Sequence, residues 1–410
     1  MEEYDYGIIG GGPAGYTAGI MLATSGKKVV LFEKDKLGGT CLNKGCIPTK
    51  AFLHISDLYS KLQNASSYGF QTGNITFDYK KIVDKKNQIV DRLRKSLELT
   101  VKNSGIKTVY SKACVKNKNT IIAEDKEYIV KNIIIATGSK PKEIKGLEFD
   151  GKFILNSNDI LNLESLPKSI LIVGSGAIGI EWARILSAFG VEVSIVEMAE
   201  HLIPQADIEV SKRIERIFKQ KRISFFLNDK IKKVDNKKVV LMSGKEHTPE
   251  KILVAVGRTP IYPECDCKSI LGDACGEIQL AHYAIHQAKA EVLGIPFNKK
   301  LVPSIIYGEP EIAWVGIKEQ DTDDSYQKNI LPISALGKSW CDDCTDGFIK
   351  LITKENKIFG AHIVSKEASS LIHILITAMQ NNIGVKDLQK ICFAHPTYAE
   401  GIFDILMKCN

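Results

Sequence analysis

The sequence predicts an α/β fold in which one βαβ unit occurs twice. Three observations carry that reading. An apolar strand, a glycine-rich turn and an apolar helix follow one another near residue 10 and again near residue 174. A second apolar strand follows each helix and ends on an acid, Glu33 in one copy and Glu197 in the other. The acid stands 23 positions after the first glycine of the turn in both copies.

In the first copy, residues 4–9 read as the strand and Gly10-Gly11-Gly12-Pro13-Ala14-Gly15 as the turn. The Ala-rich stretch to about Ser25 reads as the helix, and residues 28–32 as the next strand. This is the fingerprint of a dinucleotide site. Gly10 allows the tight turn, Gly12 lets a pyrophosphate approach the backbone, and Gly15 lets helix pack on strand. The helix N-terminus meets the phosphate charge, and Glu33 is placed to accept hydrogen bonds from a ribose. The second copy has Ser169–Val173 as strand, then Gly174-Ser175-Gly176-Ala177-Ile178-Gly179 as turn. Residues 181–189 read as its helix and 191–196 as its second strand. One glycine turn is common without any ligand, but two in the same context with the same acid offset are not. Two sites imply two dinucleotides. No Arg stands beside Glu197. An acid there accepts ribose hydroxyls and repels a 2′-phosphate, so NAD is expected rather than NADP.

Composition bounds the rest. A chain of 410 residues predicts two or three domains, at roughly 100–200 residues each. Apolar residues at 44% and charged residues at 25% exclude a disordered or collagen-like chain. Apolar runs such as 133–136 and 170–173 are too short to span a bilayer. The start, Met-Glu-Glu-Tyr-Asp, is acidic where a leader would be basic, which predicts a cytoplasmic protein. The net charge of +7 comes from scattered lysines, at most paired, as at 80–81 and 237–238. With no helix-turn-helix or aromatic–basic pattern, this reads as a solvated surface and not a nucleic-acid site.

Ten cysteines do not form a secreted disulfide framework, so in a reducing compartment a pair with meaningful spacing stands out. Directly after the first unit comes Gly38-Gly39-Thr40-Cys41-Leu42-Asn43-Lys44-Gly45-Cys46-Ile47-Pro48-Thr49-Lys50. Cys-x4-Cys also suits metal ligation, but no His or second Cys pair lies nearby. A redox disulfide fits better. Pro48 and the following stretch predict a helix beginning at Cys46. A helix N-terminus stabilises a thiolate, and Lys50 falls on the same helix face.

This segment resembles the active-site disulfide of the class I pyridine nucleotide–disulfide oxidoreductases, and the likeness extends over essentially the whole chain. It is strongest to the dihydrolipoyl dehydrogenases of that family. Ile133-Ile134-Ile135-Ala136-Thr137-Gly138-Ser139 resembles the strand and turn closing the family's FAD domain, and Val254-Ala255-Val256-Gly257-Arg258-Thr259-Pro260 the end of its NAD domain. Gly272-Asp273 with Leu280-Ala281-His282 resembles the segment whose Asp contacts the ribityl chain. Residues 307–316 resemble the entry into the dimerisation domain. The resemblance implies two Rossmann-like domains plus a C-terminal α+β dimerisation domain. It implies FAD on Gly10, Gly12, Pro13, Ala14, Gly15, Glu33, Lys34, Gly39, Thr40, Lys50, Ala113, Ala136, Thr137, Gly138, Asp273, Leu280 and Ala281. It implies NAD on Gly174, Gly176, Ile178, Gly179, Glu197 and Gly257. Cys46 would be the thiolate against the flavin, Cys41 the interchange thiol, and Lys50 would pair with Glu181 near the flavin. Glu181 also reads as a first-turn acid favoured by the helix dipole.

Ala394-His395-Pro396-Thr397-Tyr398-Ala399-Glu400 resembles the family's acid–base segment, with His395 and Glu400 as a dyad reaching the partner subunit's disulfide. A histidine that titrates near neutrality serves both thiol ionisation and thiol release. Thr397-x-x-Glu400 is also a capping box for a last helix. Mercuric reductases carry a C-terminal cysteine pair, whereas only Cys409 lies near this end. Glutathione reductases prefer NADP, which Glu197 opposes. The expected reaction is oxidation of protein-bound dihydrolipoyl groups through a Cys41–Cys46 disulfide and FAD, with hydride passing to NAD+. A reductase of another small disulfide and a non-catalytic FAD-binding scaffold are the alternatives.

The expected division is 1–140 with 261–300 for FAD, 141–260 for NAD and 301–410 for the interface. Within the last, residues 348–352, 358–364 and 371–381 suggest strand, strand and helix. Expected partners are a second copy and a lipoyl-bearing carrier of a 2-oxo acid dehydrogenase or glycine cleavage complex, with neither nucleic acid nor membrane. The chain is short for this family, chiefly between Pro260 and Gly272, and a hairpin between Glu197 and Val256 looks trimmed. Trp340-Cys341-Asp342-Asp343-Cys344 lacks the strand and proline of a thioredoxin-type pair and reads as free thiols. Cys265 and Cys267 read as loop residues.

Overall fold

The computed structural model describes residues 2–262 and 269–409. The readings for Cys265 and Cys267, and most of the shortened segment before Gly272, lie outside the described residues.

The chain begins with β1 (Glu3–Ile9), α1 (Pro13–Thr24) and β2 (Val29–Phe32). All four residues of β2, Val-Val-Leu-Phe, are buried, as expected for a strand covered on both faces. α1 turns Ala14, Gly15, Ala18, Gly19 and Leu22 inward, so small side chains let it lie close to the sheet. Next come α2 (Gly39–Lys44), α3 (Cys46–Gln63) and α4 (Tyr79–Asn103), then β3 (Lys107–Val109), β4 (Ala113–Asn117), β5 (Thr120–Ala123) and β6 (Lys126–Ile135). The sheet order is β3-β2-β1-β6-β5-β4, with residues Ser269–Ile270 added beside β6. β1, β2, β3 and β6 run parallel, while β4 and β5 are antiparallel additions.

The second sheet contains β7 (Ile154–Leu155), β8 (Ser169–Val173), β9 (Glu192–Val196), β10 (Ser224–Phe226) and β11 (Lys251–Val254). Its order is β10-β9-β8-β11-β7, parallel throughout. α5 (Ala177–Ala188) and α6 (Ile208–Gln220) connect its strands. α5 starts four residues before the expected 181, because Gly176 is already its N-cap. The apolar residues 177–180 belong to its first turn and not to the loop. The expected short hairpin appears as three antiparallel strands, Ile231–Asp235, Lys238–Leu241 and Glu246–His247.

After α7 (Ala281–Leu293), β12 (Ser304–Ile306), β13 (Glu311–Gly316), β14 (Gln327–Pro332), β15 (Phe348–Lys354) and β16 (Lys357–Ser365) form the third large sheet. Its order, β12-β13-β16-β15-β14, is antiparallel throughout. α8 (Gly337–Cys341), α9 (Ala368–Gln380) and α10 (Glu400–Leu406) accompany it. The strand–strand–helix reading of this region therefore holds: the strands extend one or two residues beyond the expected limits, and the helix begins three residues earlier and ends one residue earlier. The fold class is the expected mixed α/β architecture with a C-terminal antiparallel unit.

α3 packs on α5 through Phe52 and Trp182, whose ring centroids are 5.5 Å apart. That contact carries the cysteine segment of the first unit against the helix of the second.

Candidate active site

The two glycine turns are built alike. The Gly10 amide donates to Phe32 O, and the Gly174 amide to Val196 O. A Cβ on Gly10 would lie 2.2 Å from Ala136 O, and one on Gly174 2.7 Å from Ala255 O. Both glycines have positive φ, +109° and +98°, which favours glycine in any case. A Cβ on Gly15 would meet Gly10 O at 1.8 Å, and one on Gly179 would meet Gly174 O at 2.1 Å. Space, as well as flexibility, fixes glycine at these positions.

The acids fold back onto their turns. Glu33 accepts from the Gly11 amide and the Asp35 amide, both at 2.8 Å. Glu197 accepts from the Ser175 amide at 2.8 Å, the Ser175 hydroxyl at 2.7 Å and the Ala199 amide at 2.9 Å. Each carboxylate thus shapes its loop before it meets any ribose. Ser175 is a contributor that the motif reading did not single out.

The residues fit dinucleotides. Neither Gly12 nor Gly176, the N-caps of α1 and α5, supplies a side-chain cap, so the first amides of both helices are left for phosphate oxygens. Around Gly176 a Cβ would find only Gln205, 4.0 Å away. The first turn differs. Gly39 approaches it so closely that a Cβ there would sit 2.7 Å from Gly12 Cα. The cysteine segment is therefore pressed against the first turn by glycine-on-glycine contact. Pro13 and Ala14 open α1, Lys34 follows β2, Thr40 lies in α2, and Ala113 opens β4. Ala136, Thr137 and Gly138 continue β6 toward the turn, Ile178 lies in α5, and Gly257 follows β11 with φ +105°. Leu280 caps α7 and Ala281 begins it.

Cys41 in α2 and Cys46 at the start of α3 are free thiols that lie side by side, Cys41 placed to donate to Cys46. The bond from Cys41 brings the Cys46 thiol down to about 7, Lys50 assisting, against burial and the charge of Glu181. That bond, burial and the charge of Cys46 push Cys41 well up. Cys46 is therefore the more acidic thiol of the pair, and it stands at the N-terminus of an 18-residue helix, where the helix dipole favours a thiolate.

Lys50 Nζ meets both Glu181 oxygens at 2.9 Å. Glu181 is buried and sits within the first two turns of α5, while Lys50 lies one turn along α3 from Cys46. The pair expected from the resemblance is thus in place. Sequence reading missed that Tyr307 completes it. Its ring lies 4.6 Å from Lys50 Nζ, and its amide donates to Glu181 Oε1 at 3.0 Å.

Asp273 accepts from the Ser139 hydroxyl, which in turn accepts from Arg258 Nε at 2.7 Å. Arg258 Nη2 also donates to Ser139 O at 2.7 Å and approaches Thr40 at 3.4 Å. This network ties the exit of the second unit to the residue beside Cys41. These hydrogen bonds were not read from sequence, because each joins residues more than a hundred positions apart.

His395 Nδ1 lies 2.7 Å from Glu400 Oε1. A carboxylate can only accept, so Nδ1 carries the proton and Nε2 is free as a base. Glu400 Oε2 also accepts from the Thr397 amide at 2.8 Å. The Thr397 hydroxyl, however, donates to Ala394 O at 2.7 Å, and the N-cap of α10 is Ala399. The expected capping box is half-formed: Glu400 does its part, and the threonine caps nothing. The imidazole is 76% exposed, so within one chain this dyad faces outward.

Cys341 is exposed at the end of α8. Cys344 donates to Glu309 at 2.9 Å, and burial together with that carboxylate pushes its thiol up to about 12. The described residues contain no group of three or more metal-ligating side chains and no helix long and apolar enough to cross a membrane.

Residues 4–283 match the family described as pyridine nucleotide-disulphide oxidoreductase, and residues 302–404 match the dimerisation domain of that family. A dihydrolipoyl dehydrogenase of Bacillus subtilis is 34% identical over 465 aligned positions, which cover 100% of this chain and 98% of the relative. That alignment is longer than the 410-residue chain, so the relative carries stretches that this chain lacks. A dihydrolipoyl dehydrogenase of Mycoplasma genitalium is 31% identical, covering 99% of this chain and 98% of the relative. Among solved structures, LpdA from Mycobacterium tuberculosis superposes with a TM-score of 0.89 at 22% identity, covering 100% and 99% of the two chains. The HOCl-induced flavoprotein disulfide reductase RclA from Escherichia coli gives 0.87 at 24%, covering 99% and 100%. These two likenesses concern the fold.

Proposed function

The chain belongs to the pyridine nucleotide-disulphide oxidoreductase family, whose members bind FAD and a pyridine nucleotide. We propose that within it this protein is a dihydrolipoyl dehydrogenase, which oxidises lipoyl groups carried on a separate protein and reduces NAD+. One observation carries the reading: Cys41 and Cys46 lie side by side against the first glycine turn, with Cys46 the more acidic of the two. The full-length likeness to curated dihydrolipoyl dehydrogenases supports the substrate.

On this reading residues 1–140 with 261–300 hold FAD, 141–260 hold NAD and 301–410 pair with a second copy. The oxidised enzyme carries a Cys41–Cys46 disulfide. A dihydrolipoyl thiolate attacks Cys41; the S–S bond breaks, and Cys46 leaves as a thiolate beside Lys50 and the α3 N-terminus. The second lipoyl thiol displaces Cys41, and lipoyl leaves as its cyclic disulfide. His395 Nε2 of the second copy takes the proton of each lipoyl thiol in turn, returning the first to Cys41 and releasing the second to solvent, with Glu400 holding the ring. FAD, when bound, supplies the two-electron relay between the dithiol and NAD+. Lys50, fixed by Glu181 and Tyr307, keeps a cation beside Cys46 in both redox states.

Initial rates with dihydrolipoamide and NAD+, against rates with NADH and glutathione disulfide or other small disulfides, test the reading. Dihydrolipoamide should be turned over far faster. Faster reduction of another disulfide would make this a reductase of that disulfide, and inactivity on all of them would favour a flavin-binding scaffold.

A further inference from the structure

Arg184 is buried, with 6% of its surface exposed, and lies one turn beyond Glu181 on α5. Its Nη1 donates to Tyr307 O at 3.1 Å and to Pro310 O at 2.7 Å. Its Nε and Nη2 are buried with no hydrogen-bond partner among the described residues. Burial lowers its pKa to about 10, so it remains a cation at neutral pH. The charged groups facing it are Asp57 on α3, Glu181 on its own helix and Glu311 on β13, with Lys221 beyond the end of α6. A buried cation with donors unpaired weakens a fold, so its packing calls for another explanation.

The loop it holds supplies one. Tyr307 is gripped at both ends of its backbone by adjacent turns of α5: Glu181 accepts from its amide, and Arg184 donates to its carbonyl. Its ring is the face on which Lys50 rests, and Lys50 is the cation that favours the Cys46 thiolate. Gly308 makes the grip possible. Its φ is +126°, and a Cβ there would lie 2.5 Å from Arg184 Nη1 and 2.8 Å from Cδ. Arginine at 184 and glycine at 308 are thus steric complements.

We propose that Arg184 is a positioning residue for the dithiol: by clamping residues 307–310 it holds the Tyr307 ring under Lys50, and so holds Lys50 beside Cys46. This rests on the reading of Cys41–Cys46 as the reactive pair. It adds a residue that touches neither the thiols nor Lys50.

The test is the pH dependence of Cys46 alkylation by iodoacetamide in the reduced full-length protein, measured with and without FAD, with the modified residue identified by mass spectrometry. The other groups bearing on Cys46 are Cys41, Glu181, Arg258, Tyr16 and Tyr307, all unchanged in Arg184→Gln. The expected result is an upward shift of the half-point by about half a pH unit, roughly a threefold fall in the thiolate-to-thiol ratio and a halving of thiolate at the original half-point. Arg184→Lys, which reaches one carbonyl but not both, should shift it less. Gly308→Ala, which displaces Nη1, should shift it the same way, and this serves if Arg184→Gln folds poorly. Tyr307→Leu should reproduce the shift, and Arg184→Gln added to Tyr307→Leu should shift it no further. An unchanged half-point in folded Arg184→Gln and Gly308→Ala, or additive shifts in the double variant, would overturn the proposal. The readout needs no lipoyl substrate. A shift in a protein inactive on dihydrolipoamide would therefore sink the substrate assignment while leaving the clamp standing.

Discussion

The two glycine turns share their hydrogen bonds, their glycine contacts and the offset of their acids, yet only one is joined to a pair of cysteines. At the first, Gly39 packs on Gly12 and delivers Cys41 and Cys46. At the second, Gly176 faces open space, and Glu197 is held by Ser175 and Ala199. The difference shows how one local solution serves two tasks. On the proposed reading, the turn supplies phosphate recognition in both copies, and the segment after the second strand decides whether chemistry is attached. The first unit continues through α2 into α3, which starts on Cys46, and the second into α6, which docks on the third sheet.

Substitutions can separate the two turns. Cys46→Ser removes the thiolate that only the first unit carries. Oxidation of dihydrolipoamide should fall roughly a thousandfold or more, while FAD remains bound as judged by the absorbance of the purified protein. His395→Gln should cost about a hundredfold or more in the same assay, with NADH-driven reduction of an artificial electron acceptor largely retained. Gly15→Ala and Gly179→Ala place a methyl against equivalent carbonyls, so they distinguish the copies. The first should yield protein depleted of flavin. The second should keep flavin and raise KM for NAD+. The smallest change is Ser175→Ala, which removes one hydrogen bond to Glu197. A loss of about 1 kcal/mol predicts a several-fold rise in KM for NAD+ with kcat and flavin content unchanged.

Local pattern made much of this legible. Glycine turns, apolar strands and the Cys-x4-Cys segment announce themselves because each is contiguous, and their chemistry depends on neighbours in sequence. The clamp on Tyr307 was not legible, since Lys50, Glu181 and Tyr307 meet only after α3 packs on α5 through Phe52 and Trp182. The same holds for Lys350. It reads as one residue of an apolar strand, yet it is fully buried and pairs with Asp207 at 2.6 Å and with Glu319. That bond ties the N-cap of α6 to the third sheet. Thr397 misled in the opposite direction. Its spacing to Glu400 suits a capping box, but its hydroxyl turns to Ala394, and the glutamate is shared with His395.

Everything proposed for the activity turns on the Cys41–Cys46 pair at the first turn taking electrons from dihydrolipoyl thiols. The decisive experiment is anaerobic addition of one equivalent of dihydrolipoamide to the flavin-loaded protein, read by absorbance and followed by NAD+. A long-wavelength band from the Cys46 thiolate against the flavin should appear, be absent in Cys46→Ser, and give way to about one equivalent of NADH per site. An unchanged spectrum with no NADH formed would contradict the assignment.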